Sequence, residues 1–206
     1  YARVDREYRD VKPARLYIDT PDKENATFRA RLDFPMRDDD PDAAALTIAN
    51  EIFGGGGGLS NRLMTRLRQK DGLSYGVGSG VGMDSREKLA SFSIGGIAAP
   101  QNVVRAEQAM RDELARALKE GFTTAEVEDA RKGLLQSRLL NRSQDSTLAG
   151  AWVSYLDLGR TFTFSKQFEQ KLRTVTADEV NAAWRRHIDP ARMTVVIAGD
   201  AKKGAQ

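Results

Sequence analysis

Two alternating stretches, Ser74–Met83 and Leu89–Ile97, are joined by the turn Ser85-Arg86-Glu87-Lys88. Parallel strands need a crossover of about a dozen residues or more, so a link this short makes the pair an antiparallel hairpin. The first strand carries Gly76, Gly78, Gly80 and Gly82 on one face, with Tyr75, Val77, Ser79, Val81 and Met83 on the other. A strand bare on one side admits another backbone or a helix at close range. A further strand precedes the hairpin at Ala26–Phe34, where Phe28, Ala30, Leu32 and Phe34 alternate with Thr27, Arg29, Arg31 and Asp33.

The remaining pattern is mostly helical. Alanine-rich Ala43–Phe53 follows Pro41, and five glycines, Gly54, Gly55, Gly56, Gly57 and Gly58, then read as a flexible loop. A second helix is expected from Leu59 or Ser60, with Leu59, Leu63 and Leu67 as its apolar stripe and Asp71-Gly72 as its stop. Val103, Met110, Leu114 and Leu118 mark a helix ending before Gly121. Thr123-x-x-Glu126 and Thr176-x-x-Glu179 are capping boxes that open two more helices. Asp145–Leu158 is expected to be helical, Pro190 stops the helix through Trp184, and Met193–Ala198 is the final strand. Residues 1–25 are polar, contain Pro13 and Pro21, and read as a linker or N-terminal extension with one short strand at Leu16–Ile18. The order predicts an α+β fold: a two-layer sandwich whose mixed, largely antiparallel sheet is covered by helices on one face.

Composition restricts the chemistry. Cysteine is absent, which removes disulfides, thiol catalysis and thiolate metal sites. His187 is the only histidine, although histidine is the commonest metal ligand and general base. The 32 basic and 29 acidic residues are interleaved, which argues against a nucleic-acid partner. No apolar run approaches the ~18 residues of a membrane span.

Four features could carry chemistry. The glycine run lacks the Gly-Lys-Ser/Thr of a phosphate loop and the spacing of a dinucleotide fingerprint, so it reads as a connector. Gly72-Leu73-Ser74-Tyr75-Gly76 matches a hydrolase nucleophile elbow, with Asp157 and His187 in suitable order; the strand that must precede such a serine is missing. His187 alone reads as a helix C-terminal histidine meeting the helix dipole or free carbonyls. Arg68 and Tyr75, separated by a helix-to-strand turn, are placed to converge. An arginine fork and a phenol are both suited to an anionic oxygen.

Three motifs carry a resemblance: Ala49-Asn50-Glu51-Ile52-Phe53-Gly54-Gly55, Leu59-Ser60-Asn61-Arg62-Leu63, and Leu67-Arg68-Gln69-Lys70-Asp71-Gly72-Leu73-Ser74-Tyr75-Gly76-Val77. In this order they resemble the pitrilysin/insulinase family of zinc metallopeptidases, specifically its bacterial-type non-catalytic domain. The resemblance covers roughly residues 20–200, and implies a domain at 26–200 with a tail at 201–206. The family's inverted His-x-x-Glu-His zinc motif is absent, so no catalytic residue and no metal ligand is carried over to this chain. The resemblance instead implies zinc in a catalytic partner domain, on the same or another polypeptide, and a peptide substrate. It implies that Arg68 and Tyr75 reach that zinc site to hold the peptide and its tetrahedral intermediate. The alternative is an inactive domain with a purely structural or partner-binding role. Bacterial members are often exported, which implies a periplasmic location, with a cytoplasmic one as the alternative.

Overall fold

The computed structural model describes residues 3–56 and 61–204. A five-stranded sheet runs in the order β1-β5-β2-β4-β3, where β1 is Arg15–Asp19, β2 Ala26–Phe34, β3 Gly76–Met83, β4 Ala90–Ala98 and β5 Thr194–Gly199. The hairpin is as expected: β3 pairs antiparallel with β4, Gly78 opposite Gly95. β4 pairs antiparallel with β2, and β2 with β5; β1 alone runs parallel, beside β5. The polar N-terminal segment thus supplies its one anticipated strand to the sheet edge.

Period two decides which face is covered. In β2 the side chains of Ala26, Phe28, Ala30, Leu32 and Phe34 are buried, while Arg29 and Arg31 are exposed. Helices pack over the apolar face and on one another: α1 (Ala43–Asn50), α2 (Val103–Glu120), α3 (Thr124–Arg142), α4 (Asp145–Asp157), α5 (Phe162–Thr174) and α6 (Ala177–His187). Of these, α4 buries no residue and packs on α3. The architecture is the anticipated α+β sandwich. At its centre Trp184 of α6 is fully buried against Phe53, Phe92 and Phe122, with ring centroids 5.2–5.4 Å away. Both capping boxes form, at Thr123 with Glu126 and at Thr176 with Glu179.

Three expectations need correction. Helix α5 was not anticipated; its hydrophobic face meets other helices, and Leu172 is its only buried residue. The helix expected from Leu59 or Ser60 appears as a wide-turned π-helix, Met64–Lys70, in which Asp71 donates its amide to the Arg66 carbonyl; Leu59 and Ser60 lie outside the described residues. The glycine run is also not a loop throughout. Helix α1 continues as a π-type turn, Glu51–Gly55, so Gly54 and Gly55 are helical and Gly54 is buried. A Cβ on Gly54 would lie 2.6 Å from Leu63 Cδ1 and 2.9 Å from the Ser79 backbone nitrogen. Glycine is needed there because the helix end rests directly on β3. The bare face of Gly78 serves the same contact, since a Cβ there would sit 3.2 Å from the Gly54 carbonyl oxygen. Gly57 and Gly58 lie outside the described residues.

Candidate functional site

The chain reverses between Leu67 and Ser74. Leu67 is buried, which anchors the end of the π-helix on the core. Its carbonyl accepts two amides, from Leu73 at 2.8 Å and from Ser74 at 3.2 Å. Gly72 makes the reversal possible with φ +62°, a left-handed conformation that costs other residues roughly 1 kcal/mol or more. Arg66 closes the turn through an ion pair with Asp71 at 2.6 Å. The Ser74 hydroxyl donates to the carbonyls of Ile97 and Gly76, and the Tyr75 amide donates to Ile97 at 2.9 Å, so the chain enters β3 firmly held.

Arg68 and Tyr75 are each the next residue after Leu67 and Ser74, the two partners of that backbone contact. Both side chains are exposed, Tyr75 at 65%. Arg62 and Arg66, on the same helical segment, are committed to structure. Arg62 grips Glu126 with two bonds of 2.7 and 2.8 Å, donates to the Gly121 carbonyl, and lies 4.8 Å over the Phe122 ring. Of these three arginines, Arg68 is the one without a carboxylate partner among the described residues.

Electrostatics separates these groups further. Burial pushes the Glu126 carboxyl up, but hydrogen bonds from Arg62 and the Thr123 cap outweigh it and hold the group at about 2. Glu51, at the base of the glycine run, has no such partner among the described residues, and burial raises it.

Asn61 was not singled out by sequence reasoning. Its carboxamide donates to the Gly56 carbonyl at 3.2 Å and accepts the Met64 amide at 2.9 Å, thereby holding both flanks of residues 57–60. A helix-capping asparagine three residues after the last glycine was the available signal. Asn50 is similar: it accepts the Ser79 hydroxyl at 2.8 Å and links α1 to β3.

The serine-hydrolase constellation is not assembled. Ser74 Oγ is bound to carbonyls, Asp157 pairs with Arg86, and His187 pairs with Asp42. His187 does end α6 as expected of a helix-terminal histidine, but the partner of its ring is a carboxylate and not a free carbonyl. Its Nε2 lies 2.8 Å from Asp42 Oδ2, and its ring packs on Phe34, because the end of α6 abuts the start of α1. Burial pushes Asp42 up, but contacts from His187 and Arg186 prevail and hold its carboxyl below the usual range.

Asp40, Asp42 and His187 are the described residues that bring three possible metal-ligand atoms within 4.8 Å. They do not fit the zinc of the resembled family. One histidine replaces two, and the Arg186 guanidinium already occupies Asp42. No helix of the described residues is long and apolar enough to cross a membrane.

Known proteins resemble this chain in sequence and in fold. The profile described as "Peptidase M16 inactive domain" matches residues 1–134. A protein of Helicobacter pylori named "Non-peptidase homolog YmxG" is 24% identical over 197 residues, covering 95% of this chain and 42% of the relative. An uncharacterized zinc protease of Mycobacterium bovis is 30% identical over 157 residues, covering 75% of this chain and 34% of the relative. The crystal structure of a peptidase M16 inactive domain from Pseudomonas fluorescens is 26% identical with a TM-score of 0.84, covering 97% of this chain and 46% of that one. The chain thus spans less than half the length of these relatives.

Proposed function

Since this chain belongs to the family of peptidase M16 inactive domains, we propose that it is the non-catalytic half of a zinc-dependent endopeptidase, closing over a peptide and presenting Arg68 and Tyr75 to the zinc site of a partner domain. The observation that supports this reading is the Leu67–Ser74 backbone reversal, next to which Arg68 and Tyr75 are both exposed and Arg68 has no carboxylate partner among the described residues. Hydrolysis of an amide places negative charge on the former carbonyl oxygen. A phenol and a guanidinium aimed at that charge stabilise it more than the neutral ground state, which is the requirement for a faster reaction. Closure of the two halves would remove water and strengthen both contacts. Arg68 also offers a forked contact to a substrate carbonyl or carboxylate. The metal and the water it activates belong to the partner domain in this reading, in keeping with a chain that lacks the inverted zinc motif. An exported, periplasmic setting is part of the same proposal, and fractionation of the native cells tests it.

The deciding experiment is Tyr75→Phe in the enzyme assembled with its zinc-motif domain. We expect kcat to fall at least about tenfold, since loss of one oxyanion donor costs ~10²–10³ where the donor is fully engaged. Arg68→Ala should raise KM for peptides as well. Unchanged turnover in both would favour a second reading, an inactive scaffold or partner-binding domain. The relative named a non-peptidase homolog supports that reading.

A further inference from the structure

Ser74 is bonded in both directions across the reversal. Its amide donates to the carbonyl of Leu67, the residue before Arg68, at 3.2 Å. Its hydroxyl reaches the other way: Oγ lies 2.8 Å from the carbonyl oxygen of Ile97 in β4 and 3.0 Å from that of Gly76 in β3. Ile97 stands opposite Gly76 in the sheet, and its carbonyl also accepts the Tyr75 amide at 2.9 Å. The contact from Ser74 to Gly76 therefore spans Tyr75, and the two contacts to Ile97 tie the same short stretch to the neighbouring strand. A hydroxyl has one proton to give, so it serves these two carbonyls in turn.

Burial separates Ser74 from the residues it links. It is only 6% exposed, whereas Arg68 and Tyr75 both stand in solvent. The Tyr75 hydroxyl bonds to nothing among the described residues. With no packing and no hydrogen bond on the ring, the direction of the phenol is set by the backbone that carries it. A donor aimed at a developing charge must be held to within about 0.5 Å and 10–20° of its working position. That precision has to come from residues 74 to 76, and the one side chain among them that holds the backbone is the serine.

We propose that Ser74 is a positioning residue, whose hydroxyl fixes the backbone at Tyr75 so that the phenol meets the anionic oxygen of the tetrahedral intermediate. This inference rests on the peptidase reading given above. It also gives the Gly72-Leu73-Ser74-Tyr75-Gly76 pentapeptide a role without a nucleophile, since the serine proton is committed to backbone carbonyls and the oxygen forms no covalent bond. The two directions of bonding separate the two members of the pair. The tie to Leu67 uses the amide, which every residue except proline supplies. The tie around Tyr75 uses the side chain. Removing the hydroxyl should therefore disturb the phenol and spare Arg68.

Peptide-hydrolysis kinetics of Ser74→Ala, Tyr75→Phe and the double variant test this, each in the enzyme assembled with its zinc-motif domain. Ser74→Ala is expected to lower kcat about fivefold, less than Tyr75→Phe does, and to leave KM within about twofold of wild type. In the Tyr75→Phe background the same substitution should change kcat by less than about 1.5-fold, because no phenolic oxygen is left to place. A serine that served stability alone would cost the same in both backgrounds. Ser74→Thr keeps the hydroxyl and should retain at least about half of the wild-type kcat. Thermal melts show whether each variant is folded. If Ser74→Ala is not, Ser74→Cys, of similar size and a weaker donor, replaces it with the same expected pattern. Equal losses in the two backgrounds, or full activity of Ser74→Ala where Tyr75→Phe is slow, overturn the role of Ser74 and leave the peptidase reading standing. Unchanged turnover in Tyr75→Phe overturns both.

Discussion

Arg62 and Glu126, 64 residues apart in the chain, meet side by side: Nε donates to Oε1 at 2.7 Å and Nη2 to Oε2 at 2.8 Å. The bond ties the segment after the glycine run to the first turn of α3. The same Glu126 completes the capping box with Thr123. One carboxylate therefore serves a helix start and a tertiary tie, so losing it should be felt by both.

Glu126→Gln is expected to destabilise the domain by about 1–2 kcal/mol, measured by chemical denaturation at neutral pH. The pH dependence follows from the depressed carboxyl. Its folded value of about 2 lies below the ordinary 4.5, so its contribution is fully present above about 4.5 and is lost as pH falls toward 2. Because the side chain is about one-third exposed, solvent screening limits the effect to about 1–2 kcal/mol. The wild type should lose stability through this window faster than Glu126→Gln does. Parallel curves would contradict the assignment.

Gly54→Ala and Gly76→Ala should separate cleanly. The first forces a methyl against the Ser79 backbone and Leu63; the second faces open space. We expect a loss of about 1–3 kcal/mol for Gly54→Ala and less than about 0.5 kcal/mol for Gly76→Ala, read as shifts in the urea midpoint.

Thr176→Ala removes the oxygen that accepts the Glu179 amide at the start of α6. Since α6 carries Trp184 into the core, the loss should appear as global destabilisation of about 1 kcal/mol. Hydrogen exchange confined to the first turn of α6, without a change in Tm, would count against this linkage.

Arg68→Ala and Tyr75→Phe should leave Tm and denaturation midpoints within about 0.5 kcal/mol of wild type, since both side chains are exposed and lack a structural partner among the described residues. A larger loss would assign the pair to the fold instead of to a ligand.

Much of this was legible in advance, for local reasons. Strand β2 declares itself because one buried face imposes strict alternation on Ala26–Phe34. The hairpin follows from the shortness of its link, and the helix starts at Thr123 and Thr176 follow from hydrogen bonds made within four residues. Helix α5 escaped notice because its apolar residues serve contacts with neighbouring helices and leave one buried side chain to mark it. The family motifs named Arg68 and Tyr75 without revealing that Asn61 and Asn50 hold the framework around them.

The residues alone determined most strands and helix starts, the α+β class and the absence of an inverted zinc motif, since each depends on periodicity, short-range capping or simple count. Which of Arg62, Arg66 and Arg68 lacks a carboxylate partner among the described residues, why Gly54 must be glycine and where His187 finds its partner were settled only by the tertiary structure. Those outcomes depend on which surfaces distant segments bring together, and a contact between residues scores or hundreds of positions apart leaves no periodic trace in either segment.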